Sequence, residues 1–316
     1  MTGVFAITFD TELIWGSFDH VSPRDFNKRY PEIRRTIRSI LELLERYEIV
    51  ATWAVVGHLF LDSCQRDDAG LAHPELVRPA QSWRAGDWYA LDPCTDRRRD
   101  PLWYGDDVLD ELLAARPAQE IACHSFGHAL YGDLAMTPEA ARSDVEACVA
   151  VAAARGITLR SFVFPRNREG HHELLRDAGF RAYRGADPAW HGRIQGRAGR
   201  LAHLLDQAAG VAPPVSRPYE RLPGLWNVPG STLLMEHTGL RRIVSRRARL
   251  RKVRLGLRRA AESNSVFHLW THPFNLASDR RYMISTLDAI LHEAAEARRE
   301  GRVVIEPMAA IPDRFA

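Results

Sequence analysis

The chain predicts an α/β fold in which short strands alternate with amphipathic helices around a parallel sheet. Two observations carry that reading. Short apolar runs recur between segments of helical periodicity, the pattern of repeated strand–helix units. The runs also stop abruptly at polar residues: Asp10, Thr11 and Glu12 after VFAITF, His124 to His128 after EIAC, Pro165 to Asn167 after SFVF, and Thr271 and His272 after VFHLW. In a parallel α/β barrel the C-terminal strand ends lie on one face, so residues far apart in sequence meet there.

Taken in order, strands are expected at Val4–Phe9, Ile49–Val56, Glu120–Cys123, Ser161–Phe164, Phe180–Tyr183, Val266–Trp270 and Val303–Ile305. Between the first two, Ile33–Tyr47 places Ile33, Ile37, Ile40, Leu41 and Leu44 near the helical period. Thr137 can cap the next helix, with Pro138 at its first position, a run to about Arg155 and Gly156 as its terminator. Leu61–Asp107 breaks the rhythm: it is rich in Asp, Arg and Pro, has no clean period and carries Trp83, Trp88 and Trp103. An unpatterned excursion of this length is functional or disordered, and its tryptophans favour an ordered one near the mouth of the site. A second irregular stretch covers Gly185–Gly230, and no internal repeat is found.

Composition narrows the function classes. The 316 residues are 46% hydrophobic and 26% charged, enough for a full core and unlike a disordered chain. Lysine and arginine total 43 against 40 acidic residues, a net charge of +3 that argues against a nucleic-acid partner. Four scattered cysteines without a CxxC pair indicate neither a disulfide framework nor a zinc ribbon. The start carries no signal-peptide pattern, and no apolar run approaches the roughly 20 residues of a spanning helix. The expectation is therefore a soluble protein of the reducing cytoplasm. Residues 241–259 hold ten arginines and lysines, with Leu240, Ile243, Val244, Leu250, Val253 and Leu257 near one helical face. This reads first as a barrel helix with a solvated basic side. The sharper reading is weak contact with anionic lipid, or with phosphates of a carrier-linked sugar.

The strand-end residues suggest metal-assisted hydrolysis. His124 and His128, four apart, share one face of a helical turn, from which two neutral imidazoles can reach one zinc ion. That spacing alone equally suits surface or helix-capping histidines. Ser125 follows His124, so the motif is not HExxH and a general base must come from elsewhere. Asp10 and Glu12 can supply a third, carboxylate ligand and that base, leaving metal positions open for water and substrate. Asp10 could instead cap a helix or pair with Arg24.

Together these segments resemble the polysaccharide deacetylases of the NodB-homology type, carbohydrate esterase family 4. ITFDTE is similar to that family's first motif, HSFGH to its HxxxH motif, FVFPRN to its third and HLWTHP to its last. ATWAVVGHLF is similar to its second strand, and the terminal GRVVIEPM to its last strand. The resemblance implies one distorted (β/α)7-type barrel domain over residues 1–316, with an irregular insertion at about 61–107. It further implies removal of acetyl groups from N-acetylated sugars with one divalent metal, zinc being the usual choice. Asp10 matches the catalytic base, Glu12, His124 and His128 the metal ligands, and His272 the acid that protonates the leaving amine. Arg166 takes the place of the arginine that orients the base, although the order here is Pro-Arg.

Substrate contacts are assigned to Trp15 as a sugar-stacking surface, Trp226 as an apolar wall for the acyl methyl, and Asn167 beside the oxyanion. His268 reads as a hydrogen-bonded core histidine, and His171 and His172 as the start of a solvent-side helix. The expected substrate is an N-acylated amino sugar of an intracellular glycan or sugar-metabolite pathway. Two alternatives remain: a sugar deformylase or other small-amide hydrolase, and a catalytically silent glycan-binding barrel.

Overall fold

Strand β1 (Gly3–Thr11) organises the sheet because it pairs along both edges. In this computed structural model, which describes residues 2–194 and 196–316, β1 runs parallel to β2 (Thr52–Val55), β9 (Val266–Thr271) and β10 (Val303–Ile305). Beyond β2 come β3 (Glu120–Cys123), β4 (Ser161–Val163), β5 (Ala182–Arg184) and β7 (Leu225–Asn227), also parallel. An antiparallel strand, β6 (Tyr219–Leu222), ends that side, and β8 (Thr232–Leu233) beside β9 ends the other. The mixed sheet therefore curls into a half-barrel without a ladder closing β8 onto β6 or β7 among the described residues. This is the distortion of the (β/α) barrel. The stretch 185–230, which lacks a sequence period, holds β6 and β7, each only three or four residues long.

The two-residue period of β1 separates two cores. Phe5, Ile7 and Phe9 enter the large core between sheet and helices. Val4 and Ala6 face inward with Ala54, Ala122, Val163, Ala182, Val228 and Val266, side chains small enough to let the sheet curl. A polar layer lies within this inner face. Glu120 accepts from Thr52 Oγ1 at 2.6 Å, Ser161 Oγ at 2.5 Å and the Ala309 N–H at 3.3 Å. Burial raises the Glu120 pKa even against those bonds. The inward parity continues along β1 through Thr8 and Asp10 to Glu12.

The helices follow their apolar spacing. Ile33–Arg46 buries Ile33, Ile37, Ile40, Leu43 and Leu44, and Pro138–Ala154 is capped by Thr137, whose hydroxyl accepts the Ala140 N–H at 3.2 Å. The basic run departs from expectation. Its helix is Arg246–Ser263, while Leu240 and Ile243 precede it and stand exposed. Nor is its basic side simply solvated: Lys252 is buried on Asp206 Oδ2 at 2.6 Å, and Arg249 is buried against the carbonyl of Met235 at 2.6 Å. The chain tightens around these cations because burying one without a partner would be prohibitive. No helix among the described residues is long and apolar enough to cross a membrane.

The insertion is ordered by polar contacts rather than by regular elements. Asp67 accepts the backbone N–H groups of Ala69 and Leu71, and Asp96 those of Arg98 and Arg99. Trp88 and Trp103 anchor it in the core, whereas Trp83 stays 47% exposed.

Candidate active site

Glu12 is the meeting point of three imidazoles. Its Oε1 lies 2.9 Å from His124 Nε2, 3.1 Å from His128 Nε2 and 3.4 Å from His272 Nε2. Asp10 Oδ2 lies 3.8 Å from the same His272 nitrogen. Both carboxylates reach the site because Asp10 is on the inner face of β1 and Glu12, one residue past the strand's end, keeps the same parity.

The donors fit a cation. His124 donates from Nδ1 to the carbonyl of Val163 at 2.7 Å, so a neutral ring turns a bare Nε2 toward a carboxylate oxygen. Two acceptors that close repel each other unless a proton or a cation lies between them. A metal-ligating histidine characteristically uses its second nitrogen in this way. Burial lowers the His128 pKa and favours the neutral ring that a metal requires. Burial works against ionised Glu12, but His272, His128 and His124 outweigh it and hold that carboxyl well below its ordinary value. Two imidazole nitrogens and a carboxylate oxygen form a set suited to zinc.

Local structure explains how these groups converge. His124 follows β3 directly, but the next four residues form a loop rather than the helical turn expected from their spacing. Ser125 and His128 adopt left-handed backbone conformations with φ of 64° and 60°. Buried Asp144 stabilises the loop, accepting from Ser125 Oγ at 3.0 Å, the Phe126 N–H at 3.0 Å and the Tyr131 hydroxyl at 2.7 Å. From the insertion, Trp88 donates to the Gly127 carbonyl at 2.7 Å, and Tyr89 packs so closely that a Cβ on Gly127 would come within 2.5 Å of its ring. The longer Glu12 side chain is accommodated by Gly16, where a Cβ would lie 1.7 Å from Oε2.

Asp10 is held by an arginine that the sequence reading missed. Arg184, at the end of β5, donates to Oδ1 at 2.6 Å and Oδ2 at 2.7 Å, and the pair is buried. Burial opposes Asp10 ionisation, but Arg184, with help from His272, brings its pKa below the usual aspartate value. The guanidinium also stacks over Trp270 at 4.4 Å and donates to Asn167 Oδ1 at 3.3 Å. Trp270 is fixed in turn by Asp187, which accepts its indole N–H at 2.9 Å. On the acid side, burial pushes the His272 pKa down, yet Glu12 and Asp10 hold it above the ordinary histidine value.

The expected residues thus divide. Asp10, Glu12, His124, His128 and His272 come together, and half-buried Asn167 accepts from Arg184. Arg166 does not reach Asp10: its left-handed backbone, φ 51°, turns the side chain to Asp19, with both carboxylate oxygens at 2.7 Å. Trp15 is no sugar platform. It is fully buried, donates to the carbonyl of Trp103 at 3.1 Å and packs on His58. Trp226 lies on β7 in register with Ala182 and Glu220, toward the sheet edge. His268 is a buried core residue bonded to Thr8, as expected. Arg184 was legible: the run FRAY ends at a polar residue, the same signal that exposed the other site residues.

By sequence, no family model and no curated protein matches the chain. Its structure does match. A protein assigned as a polysaccharide deacetylase from Mycobacterium smegmatis aligns over 99% of this chain and 90% of its own, with TM-score 0.62 at 14% identity. This chain has the fold of the polysaccharide deacetylases. The Puue allantoinase aligns over 99% of this chain and 89% of its own (TM-score 0.58, 12% identity). A 4-alpha-glucanotransferase from Thermococcus litoralis aligns over all of this chain but 41% of its own (TM-score 0.56, 13% identity). One fold thus serves several chemistries, and the side chains at its strand ends must decide among them.

Proposed function

We propose that the chain is a metal-dependent hydrolase that removes an acetyl or other small acyl group from the nitrogen of an amino sugar. One observation carries this reading: a single buried oxygen of Glu12 faces three imidazole nitrogens within 3.4 Å, beside an Asp10 kept ionised by Arg184. Glu12, His124 and His128 would hold the ion, zinc by the chemistry of the donors. Bound there, a divalent ion supplies Lewis-acid polarisation of the amide carbonyl and of the attacking water.

The chain's own residues supply the proton traffic. Asp10, ionised and gripped at both oxygens, accepts the proton of the attacking water. His272, 3.4 Å from Glu12 and 3.8 Å from Asp10, whose charges raise its pKa against the effect of burial, delivers a proton to the departing nitrogen. An amide needs that acid because an amine anion is a very poor leaving group. Arg184 leaves Asp10 no freedom to rotate, so base and acid keep a fixed separation.

A cleft of about 570 Å³ opens beside His272 and runs past Arg29, Arg200 and Arg241. Its one acid among the described lining residues, Glu236, already accepts from Arg29, Tyr30 and Arg241. That volume suits a sugar residue, and the basic lining favours a sugar bearing an anionic group. The test is hydrolysis of N-acetylglucosamine and its phosphate esters before and after metal stripping. Loss of turnover on stripping, restored by zinc, with preference for the anionic substrate, is expected. Undiminished turnover by metal-free protein would end the proposal.

A further inference from the structure

A second group of metal-ligating side chains lies outside the catalytic centre, at the root of the insertion. His58 sits in the single turn Gly57–Phe60 that follows β2, and Cys64, His73 and Asp92 come from the irregular segment after it. Asp92 Oδ2 lies 2.9 Å from both His58 Nε2 and His73 Nε2. Cys64 Sγ lies 3.7 Å from His58 Nε2 and 3.6 Å from Asp92 Oδ2. All four candidate ligand atoms fall within 4.8 Å of one another. Four ligands placed tetrahedrally around zinc at its usual bond lengths lie roughly 3.3–3.7 Å apart. The two 2.9 Å contacts would open slightly and the widest pair would close by up to about 1 Å to seat the ion.

The outer contacts point the same way. His58 Nδ1 lies 3.1 Å from the carbonyl of Trp103, an acceptor that places the proton on that nitrogen. His73 Nδ1 faces Glu75 at 3.6 Å. Both Nε2 atoms are turned toward one carboxylate oxygen, the arrangement that also marks Glu12 and His124. Asp92 is fixed by the Cys94 N–H on Oδ1 at 2.9 Å, and the Tyr104 hydroxyl lies 3.2 Å from the Cys64 sulfur, placed to donate to a thiolate. Trp15 packs its ring on His58 with centroids 4.6 Å apart. Among the described residues no lysine or arginine side chain is bonded to the Asp92 carboxylate; Arg66 donates instead to its backbone carbonyl.

We propose that His58, Cys64, His73 and Asp92 bind a second zinc ion with a structural role. One sulfur, two nitrogens and one oxygen form a donor set for that borderline-soft metal. As zinc binds, the Cys64 thiol proton passes to solvent and the sulfur becomes a ligand. Four protein ligands, three of them buried, leave no open position for substrate, so the ion acts as a staple. It ties an insertion without a helix of its own to the end of β2. Through Trp88 and Tyr89 it also steadies the loop that carries His128.

Zinc content and cobalt substitution of the full chain test this. The purified wild type should hold about two equivalents of zinc, and His128→Ala and Cys64→Ser about one each. Cobalt-loaded wild type should show a thiolate-to-metal charge-transfer band, since the catalytic ligands include no sulfur. That band should persist in His128→Ala and in Cys94→Ser, and vanish in Cys64→Ser. The wild type and His128→Ala decide the matter even if Cys64→Ser fails to fold. A wild type without the band, or a His128→Ala protein without zinc, would overturn the second site, and loss of the band in Cys94→Ser would overturn its ligand set.

Discussion

Arg184 grips both carboxylate oxygens of Asp10, at 2.6 and 2.7 Å, from the end of a strand separated from β1 by three others across the sheet. The contact fixes the rotation of Asp10 and keeps it charged in a buried site. Arg184→Gln removes both effects. Breaking a buried pair of this kind costs about 3–5 kcal/mol, and the rate should fall on the order of a hundredfold or more as base catalysis is lost. Arg166→Ala breaks a pair nearer the surface and should change stability by about 1 kcal/mol or less. Steady-state kinetics and thermal melts of the two variants check the contrast.

Gly16 offers a way to damage the site while sparing the fold. Its missing Cβ would strike only the flexible end of Glu12, with Oε2 1.7 Å away. Gly16→Ala should therefore melt within a few degrees of wild type, yet bind the catalytic metal much more weakly and lose most activity. Metal titration and calorimetry on the same sample separate the two effects.

In the proposed reaction Asp10 and His272 act on different bonds. Asp10→Asn should abolish hydrolysis of amides and activated esters alike. His272→Asn should abolish amide hydrolysis but spare an ester with a good leaving group, which needs no proton. Equal losses on both substrates would remove His272 from the role of acid.

The floor of the barrel predicts a pH effect. Burial raises the Glu120 pKa in the folded state, so the native protein holds that proton more tightly than the unfolded chain. The stabilising contribution is complete below the unfolded value and declines as pH rises through the folded one. Glu120→Gln should remove that decline. Melting temperatures of both proteins from mildly acidic to neutral pH should diverge upward in pH, with the variant gaining on the wild type.

Much of this architecture was legible in the sequence because its strands end where apolar runs meet polar residues. That signal marks Asp10, Glu12, His124 and His272, and the family resemblance supplies the roles expected of them. Arg184 lies one residue beyond the expected fifth strand, Phe180–Tyr183, whereas the family resemblance points to Arg166 in the preceding motif. The spacing of HSFGH predicts a helical turn, but the segment forms a loop because Asp144, on the helix that follows, holds it. β6, β7 and β8 are too short to show a period. The second cluster was invisible for another reason: His58, Cys64, His73 and Asp92 have no regular spacing, and only three-dimensional folding of the insertion unites them.

Because Asp10 lies on a strand paired along both edges and Glu12 follows immediately past its end, the proposed proton acceptor and carboxylate ligand are held close to each other. Their offset is a repeat of the peptide backbone itself. New substrate preferences can then arise by remodelling the loops and the arginine-lined cleft while the reacting centre stays in register, much as a lathe changes tools around an unmoved spindle.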